Sequence, residues 1–153
     1  MRVRRVENVI VLAHMNLPPS DDEWRDYIEN VLAIGRVFGN DLRRCRHLVF
    51  TDGGGPDARQ REAVSRVADQ MNAKEMPIAV VSSSAFVRVI VTLGRAFNMN
   101  IRAWAPGEIR AAFAALGIGP STARSLWVDL DAMDGELEGV QSIRGARDAF
   151  GKV

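Results

Sequence analysis

The residues with the strongest case for chemistry lie in one glycine-rich segment, Thr51-Asp52-Gly53-Gly54-Gly55-Pro56-Asp57. Consecutive glycines let a backbone approach a ligand closely, and a helix that begins after the loop offers unpaired N–H groups to an anion. The segment lacks the Lys-Ser/Thr ending of a P-loop and the spacing of a dinucleotide-binding motif. Its two carboxylates also oppose a phosphate. We therefore interpret it as a strand-to-helix turn or protein-docking loop, with a nucleotide or other small anion as the alternative.

A second polar group, Ser82-Ser83-Ser84, follows a later apolar run. Hydroxyls in this position commonly cap a helix, and one cap needs only one of them. If both apolar runs are parallel strands, the serines and the glycine-rich segment lie at the same edge of the sheet. The two groups together are then the candidate binding surface.

The other reactive residue types are too sparse to build a catalytic or metal site. His14 could act as a general base only beside a nucleophilic serine, and the sequence has no Gly-x-Ser-x-Gly pattern that would supply one. Asp52 does not fit a phospho-receiver site, because Ala13-His14-Met15 supplies no acid pair after the first strand. Cys45 is the single cysteine, and the two histidines, His14 and His47, are far apart in sequence, so the three make a poor metal set. We predict no catalytic residues, no metal, no cofactor and a non-enzymatic protein.

The composition is that of an ordinary globular chain: 153 residues, 47% of them hydrophobic and 25% charged. Twenty basic and 19 acidic residues give a net charge of +1, which offers no field to attract nucleic acid. No run approaches the ~20 apolar residues of a membrane helix. No N-terminal segment has the pattern of a secretory signal. The sequence therefore predicts a cytoplasmic protein with no nucleic-acid partner and no membrane span.

Four short apolar runs, each followed by a helix signal, predict the elements that position these residues. The runs cover 8–13, 47–51, 77–81 and 100–104. Each is too short and too β-branched for a helix. Such alternation predicts a single α/β domain with a four- or five-stranded, mostly parallel sheet and flanking helices.

The N-terminal residues Arg2, Arg4 and Arg5, beside Val3 and Val6, have two interpretations. They begin an edge strand whose arginines point outward, or they form a basic arm for an acidic partner.

Three helix starts can be read from local signals. Ser20 and Glu23 have the spacing of a capping box, and Asp57 stands where a negative charge stabilises a helix start. The helix after Ser84 is strongly apolar. Its predicted buried face comprises Phe86, Val89 or Ile90, Leu93 and Phe97.

The C-terminal part predicts one further helix and a loose end. Leu126, Leu130 and Met133, with Trp127 alongside, recur at helical spacing within 119–138. This stripe covers the chain's own domain, or alternatively it pairs with its copy in a homodimer or docks on another protein. From Gly139 the chain is polar and punctuated by glycine. We predict a domain over 1–118, an amphipathic helix over 119–138 and a loose tail over 139–153.

Three stretches resemble the STAS superfamily, which includes the bacterial anti-sigma-factor antagonists and related lipid-transfer-like single-domain proteins. They are RHLVFTDGGGPDARQREAV, PIAVVSSSAFVRVIVTLGRAF and IRAWAPGEIRAAFAALGI. The similarity covers about residues 7–118. Antagonists of this family carry Asp-Ser-Ser-Gly before the exposed helix, and a kinase phosphorylates the serine. The loop at Asp52–Asp57 has no serine, so the resemblance implies a STAS-like fold without that switch.

The resemblance and the glycine-rich loop together predict a regulatory or scaffolding module. It binds another protein through the Asp52–Asp57 loop and the helix that follows. The alternative is a domain that binds a small molecule (a nucleotide, a phosphate-bearing metabolite or a lipid) at the strand-end loops 52–57 and 82–84.

Overall fold

The computed structural model describes residues 1–94 and 100–151, apart from the side chains at positions 90 and 92–94. The strands are β1 (Arg2–Val6), β2 (Val9–His14), β3 (Arg46–Thr51), β4 (Ile78–Val81) and β5 (Ile101–Trp104). The helices are α1 (Asp21–Val37), α2 (Ala58–Gln70), α3 (Ala85–Gly94), α4 (Ile109–Ala115), α5 (Pro120–Glu136) and α6 (Gln141–Phe150). Among the described helices, none combines the length and the apolar character needed to cross a membrane.

The five strands form one sheet whose spatial order is the order of the sequence. β1 runs antiparallel to β2, with Val6 opposite Val9, while β2 to β5 are parallel to their neighbours. This confirms the predicted α/β fold with a mostly parallel sheet. The arginine-bearing segment at the N-terminus forms β1, which is one of the two edge strands of the sheet.

Helices cover both faces of the sheet. Side chains alternate between the two faces along each strand, so successive residues of one strand pack against different helices. Val9 and Val11 of β2 belong to the apolar cluster that includes α4, α5 and α6. Ile10 and Leu12 belong to the cluster that includes α1 and α2. β2 is therefore buried on both sides, which is why it reads as an unbroken apolar run.

The C-terminal prediction is wrong for residues 141–150, which form α6 instead of a loose tail. Ile143 and Ala146 have no exposed surface and join the same cluster as α4 and α5. The turn before α6 is fixed by Asp134, whose carboxylate accepts hydrogen bonds from the Val140 N–H at 2.6 Å and the Arg144 Nε–H at 3.0 Å. The segment 119–150 is thus part of the domain core. Residues 152–153 lie outside the described residues.

The predicted buried face of α3 is wrong at Phe86, which is 72% exposed. Of the two alternatives at the next position, Val89 is 57% exposed, and the side chain of Ile90 lies outside the described residues. The half-buried apolar side chains are those of Val87 and Val91, which are four residues apart and so lie on one face of α3. This helix packs against β5, at the end of the sheet. The side chains at positions 90, 93 and 97 lie outside the description.

Candidate functional site

The carboxyl ends of β2, β3 and β4 bring both predicted polar groups to one edge of the sheet. Thr51 ends β3 opposite His14 of β2, and Phe50 pairs with Val81 directly before the serines. The loops that follow these three strands, 15–19, 52–57 and 82–84, are therefore neighbours.

Thr51 organises the turn at the start of the glycine-rich loop. Its buried hydroxyl accepts a hydrogen bond from the Gly53 N–H at 3.2 Å and donates to the Gly54 carbonyl at 3.3 Å. His14 Nδ1 lies 3.4 Å from the same oxygen and 3.1 Å from the Met15 carbonyl. Burial lowers the pKa of His14, which favours the neutral ring. The hydroxyl of Thr51 is thus engaged inside the loop.

Asp52 caps a helix from another part of the chain. Its carboxylate accepts hydrogen bonds from the Gln141 N–H at 2.7 Å and the Ser142 N–H at 2.8 Å, the first amides of α6. These amides have no partner within the helix, so a carboxylate there satisfies them and complements the helix dipole. Asp52 therefore holds the last helix to the end of β3.

The three glycines of the loop stand in different surroundings. The Gly54 N–H donates to the Met15 carbonyl at 3.2 Å, and a Cβ on Gly54 would lie 2.1 Å from the Leu17 carbonyl oxygen. Gly53 has a φ of +135°, a conformation that side chains disfavour. A Cβ on Gly55 would meet nothing within 4 Å in the described part of the chain. Only Gly55 can be enlarged without disturbing the loop.

Asp57 is the N-cap of α2. Its Oδ1 accepts a hydrogen bond from the Gln60 N–H at 2.8 Å, and Gln60 Oε1 accepts from the Asp57 N–H at 3.1 Å. The backbone hydrogen bond from Gln60, together with the charge of Arg59, lowers the pKa of Asp57.

Gln60 is a residue that the sequence argument missed, although Asp57-x-x-Gln60 has the spacing of a capping box. Its buried Nε2 group donates to the Pro19 carbonyl at 3.1 Å and to Asp21 Oδ1 at 3.2 Å. The backbone carbonyl of Gln60 accepts a hydrogen bond from Trp24 Nε1 at 2.9 Å. Gln60 therefore ties the start of α2 to the start of α1.

The three serines have separate roles. Ser84 Oγ accepts a hydrogen bond from the Val87 N–H at 3.3 Å and so caps α3. The buried Ser82 Oγ accepts from the Ser84 N–H at 3.1 Å. Arg88 Nη1 donates to the carbonyls of Ser82 at 2.7 Å and Ser83 at 3.1 Å. Ser83 is exposed, so it is the serine whose side chain faces solvent.

The stripe on α5 covers the chain's own domain, which is the first of the two interpretations. Leu126, Leu130 and Met133 have no exposed surface. Trp127 is half-buried, with its ring centroid 6.2 Å from that of Phe113 and 5.3 Å from that of Phe150. The three aliphatic side chains therefore offer no surface to a second copy.

Two apolar residues beside the glycine-rich loop have exposed side chains. Leu17, whose backbone abuts Gly54, is 67% exposed, and Met15 is also exposed. Phe86, two residues after Ser84 in the first turn of α3, is 72% exposed. Within residues 1–94 and 100–151, no three His, Cys, Asp or Glu side chains converge as a metal-binding group.

Comparison with protein-family models, with curated proteins and with solved structures finds no match to this chain.

Proposed function

We propose that the chain is a non-enzymatic regulatory or scaffolding module that binds another protein. The docking surface comprises the Asp52–Asp57 loop, the exposed side of α2, and the side chains of Leu17 and Phe86. The observation that carries this proposal is a contrast at one edge of the sheet. Leu17 and Phe86 are exposed there, while five neighbouring polar side chains hold the structure together: those of Asp52, Asp57, Thr51, Ser82 and Ser84.

The engagement of the polar side chains favours a protein partner over a small anion. Binding sites for small molecules combine a concave pocket with a few polar groups that point into it. Here Asp52 and Asp57 cap helices, and Thr51, Ser82 and Ser84 bind nearby amides. Two clefts of about 260 and 230 Å³ lie along β1, and neither is lined by a residue of the 52–57 or 82–84 loop. An open apolar surface is the usual feature of a protein-docking site.

The exposed side of α2 fits the polar margin of such a surface. Arg59, Arg61, Glu62 and Arg66 are all exposed, and Arg66 Nη1 lies 3.2 Å from Glu62 Oε1. Protein interfaces combine an apolar centre with a polar rim that stays accessible to water. The regulatory role itself rests on the resemblance to the STAS superfamily, which is also a proposal.

The test is affinity capture from a lysate of the native organism, with quantitative mass spectrometry of the retained proteins. Gly55→Arg and Leu17→Asp alter the surface at positions where the side chain meets solvent. Gly54 is unsuitable, because any side chain there would collide with the Leu17 backbone. Val128→Asp is the matched control, since Val128 is equally exposed but lies on α5.

We expect a partner that wild type and Val128→Asp retain and that both loop variants lose, with unchanged thermal unfolding of all four proteins. The same partners on every variant would overturn the assignment of the surface. A rise in melting temperature with nucleotide or phosphate, which Gly55→Arg abolishes, would instead establish the small-molecule alternative.

A further inference from the structure

The outer edge of β1 is open. β1 pairs with β2 on one side, and within residues 1–94 and 100–151 no strand pairs with its other side. An edge strand presents backbone N–H and C=O groups that can pair with a strand from another chain. None of the residues that line the clefts along this edge belongs to the docking surface proposed above.

Helices from both layers wall this edge and make a groove along it. The larger cleft, about 260 Å³, is lined by β1, by Asp26, Tyr27 and Asn30 of α1, and by Glu136 of α5. The second cleft, about 230 Å³, shares Val3, Arg4 and Asn30 with the first and continues along α1 to Ile34 and Val37. We call the two together the edge groove. Its floor is the open strand and its walls are α1 and α5.

The two sides of β1 offer different chemistry. Arg2 and Arg4 reach the α5 side, where both bind Glu136; Arg2 Nε lies 2.8 Å from Glu136 Oε2. One carboxylate between two guanidinium groups leaves an excess positive charge. On the α1 side Val3 packs against the apolar cluster, and Val37 is 65% exposed at the end of the groove. Glu23 and Asp26 also line that side in the first cleft, and Arg5 lines it in the second.

We propose that the edge groove binds an extended segment of a partner protein as a sixth strand of the sheet. The segment alternates acidic side chains, which face Arg2 and Arg4, with apolar side chains, which cover Val3 and Val37. Main-chain hydrogen bonds give such strand addition its affinity, and the alternating side chains give its specificity. Acidic residues on both sides would meet Glu23 and Asp26, so the groove selects alternation rather than a uniformly acidic strand.

Charge complementarity also argues against a second copy of the chain as the occupant. Pairing β1 with another β1 would bring the arginines of two edges together, and like charges opposite each other destabilise a strand pair. The same arginines that discourage self-association attract an acidic strand.

The experiment is fluorescence anisotropy with a labelled synthetic peptide in which glutamate and valine alternate. We expect saturable binding, with affinity lowered about tenfold in Arg4→Glu because an attraction becomes a repulsion. Glu136→Gln should raise affinity a few-fold, since it frees two arginines from their internal acid. Arg66→Glu is the matched control, an exposed arginine on α2 that should leave binding unchanged. If Arg4→Glu fails to fold, Arg4→Gln tests the same contact.

A second peptide separates strand pairing from simple charge attraction. The same sequence with alternate backbone amides N-methylated keeps its charge but cannot form the ladder, and we expect it not to bind. Slower amide exchange in β1 with the unmodified peptide would locate the contact. Equal binding of the two peptides, equal loss in Arg66→Glu, or no binding up to about 1 mM would overturn the proposal.

Discussion

The two helical layers that cover the sheet are fastened to it by different means. α1 and α2 cap themselves, through Ser20 with Glu23 and through Asp57 with Gln60, pairs that are three residues apart. α6 has no such local cap, and its first amides are bound by Asp52, 90 residues earlier in the chain. The caps of the first layer are therefore local in sequence. The cap of α6 depends on the contact between α6 and the loop after β3.

The two layers also differ in what they bury. Under α1 lies His47, which stacks on Tyr27 with a ring-centroid distance of 6.1 Å and whose Nε2 has no partner among the described residues. The layer of α4, α5 and α6 packs around aliphatic and aromatic side chains; its buried polar residues include Asp134 and Ser142, and among the described residues it contains no histidine. We therefore expect the first layer to be sensitive to protonation and the second to loss of apolar volume.

The largest effect should come from Ile143→Ala in α6. Ile143 is fully buried, and truncating such a side chain costs about 3 to 4 kcal/mol through lost burial and the cavity left behind. Urea unfolding followed by circular dichroism measures the change in the free energy of unfolding. Val128→Ala, at an exposed position of α5, is the control and should change it by less than about 0.5 kcal/mol. A similarly small effect of Ile143→Ala would show that α6 is not part of the cooperative core.

Acidification should weaken the first layer through His47. Burial lowers the pKa of His47 from 6.5 to about 4. Between these values the unfolded chain binds a proton that the folded chain does not, so stability falls as the pH falls from 6.5 to 4. The loss amounts to roughly 3 kcal/mol. Burial shifts the pKa of His14 in the same direction and adds to it.

Urea unfolding at a series of pH values from 7 to 5 tests this prediction. His47→Leu removes the titrating group and the unpaired Nε2, so its stability should depend less on pH in this window than that of wild type. The same pH dependence in His47→Leu and wild type would assign the acid sensitivity to other groups.

Removing the long-range cap should have an intermediate effect. Asp52→Ala leaves the Gln141 and Ser142 amides without their acceptor and should cost about 2 kcal/mol. Hydrogen exchange should accelerate in the first turn of α6, while the first turn of α2 keeps its protection. Uniform acceleration in both helices would mean that the cap supports the whole domain rather than one helix.

How much of this fold was predictable depends on whether the residues that determine an element are close together in the sequence. The strands and the starts of α1 and α2 were predicted because apolar runs and caps such as Ser20 with Glu23 are local. α6 was missed because its cap, Asp52, belongs to another loop. The exposed side of α3 was misassigned at Phe86, since hydropathy shows that a helix is apolar but not which side meets the sheet.

The location of the candidate site was predictable from the sequence, but the hydrogen bonds of its side chains were not. The parallel strands correctly implied that Asp52 and Ser82 lie at one edge. Whether a carboxylate there is free to bind a partner depends on what else reaches it, and α6 reaches Asp52. Residue type and position thus locate a surface, while its unused hydrogen-bonding groups are known only from the packed structure.

The smallest effect should come from the local cap of the first layer. Ser20→Ala removes the acceptor of the Glu23 N–H, at 3.2 Å, and should cost about 1 kcal/mol. Because the Ser20 and Asp52 caps have no shared partner, the double variant Ser20→Ala/Asp52→Ala should lose the sum of the two single losses to within about 0.5 kcal/mol. Urea unfolding of the two single variants and the double variant measures this sum. A larger deviation would show that α1 and α6 are energetically coupled through the sheet. The two layers would then behave as one cooperative unit.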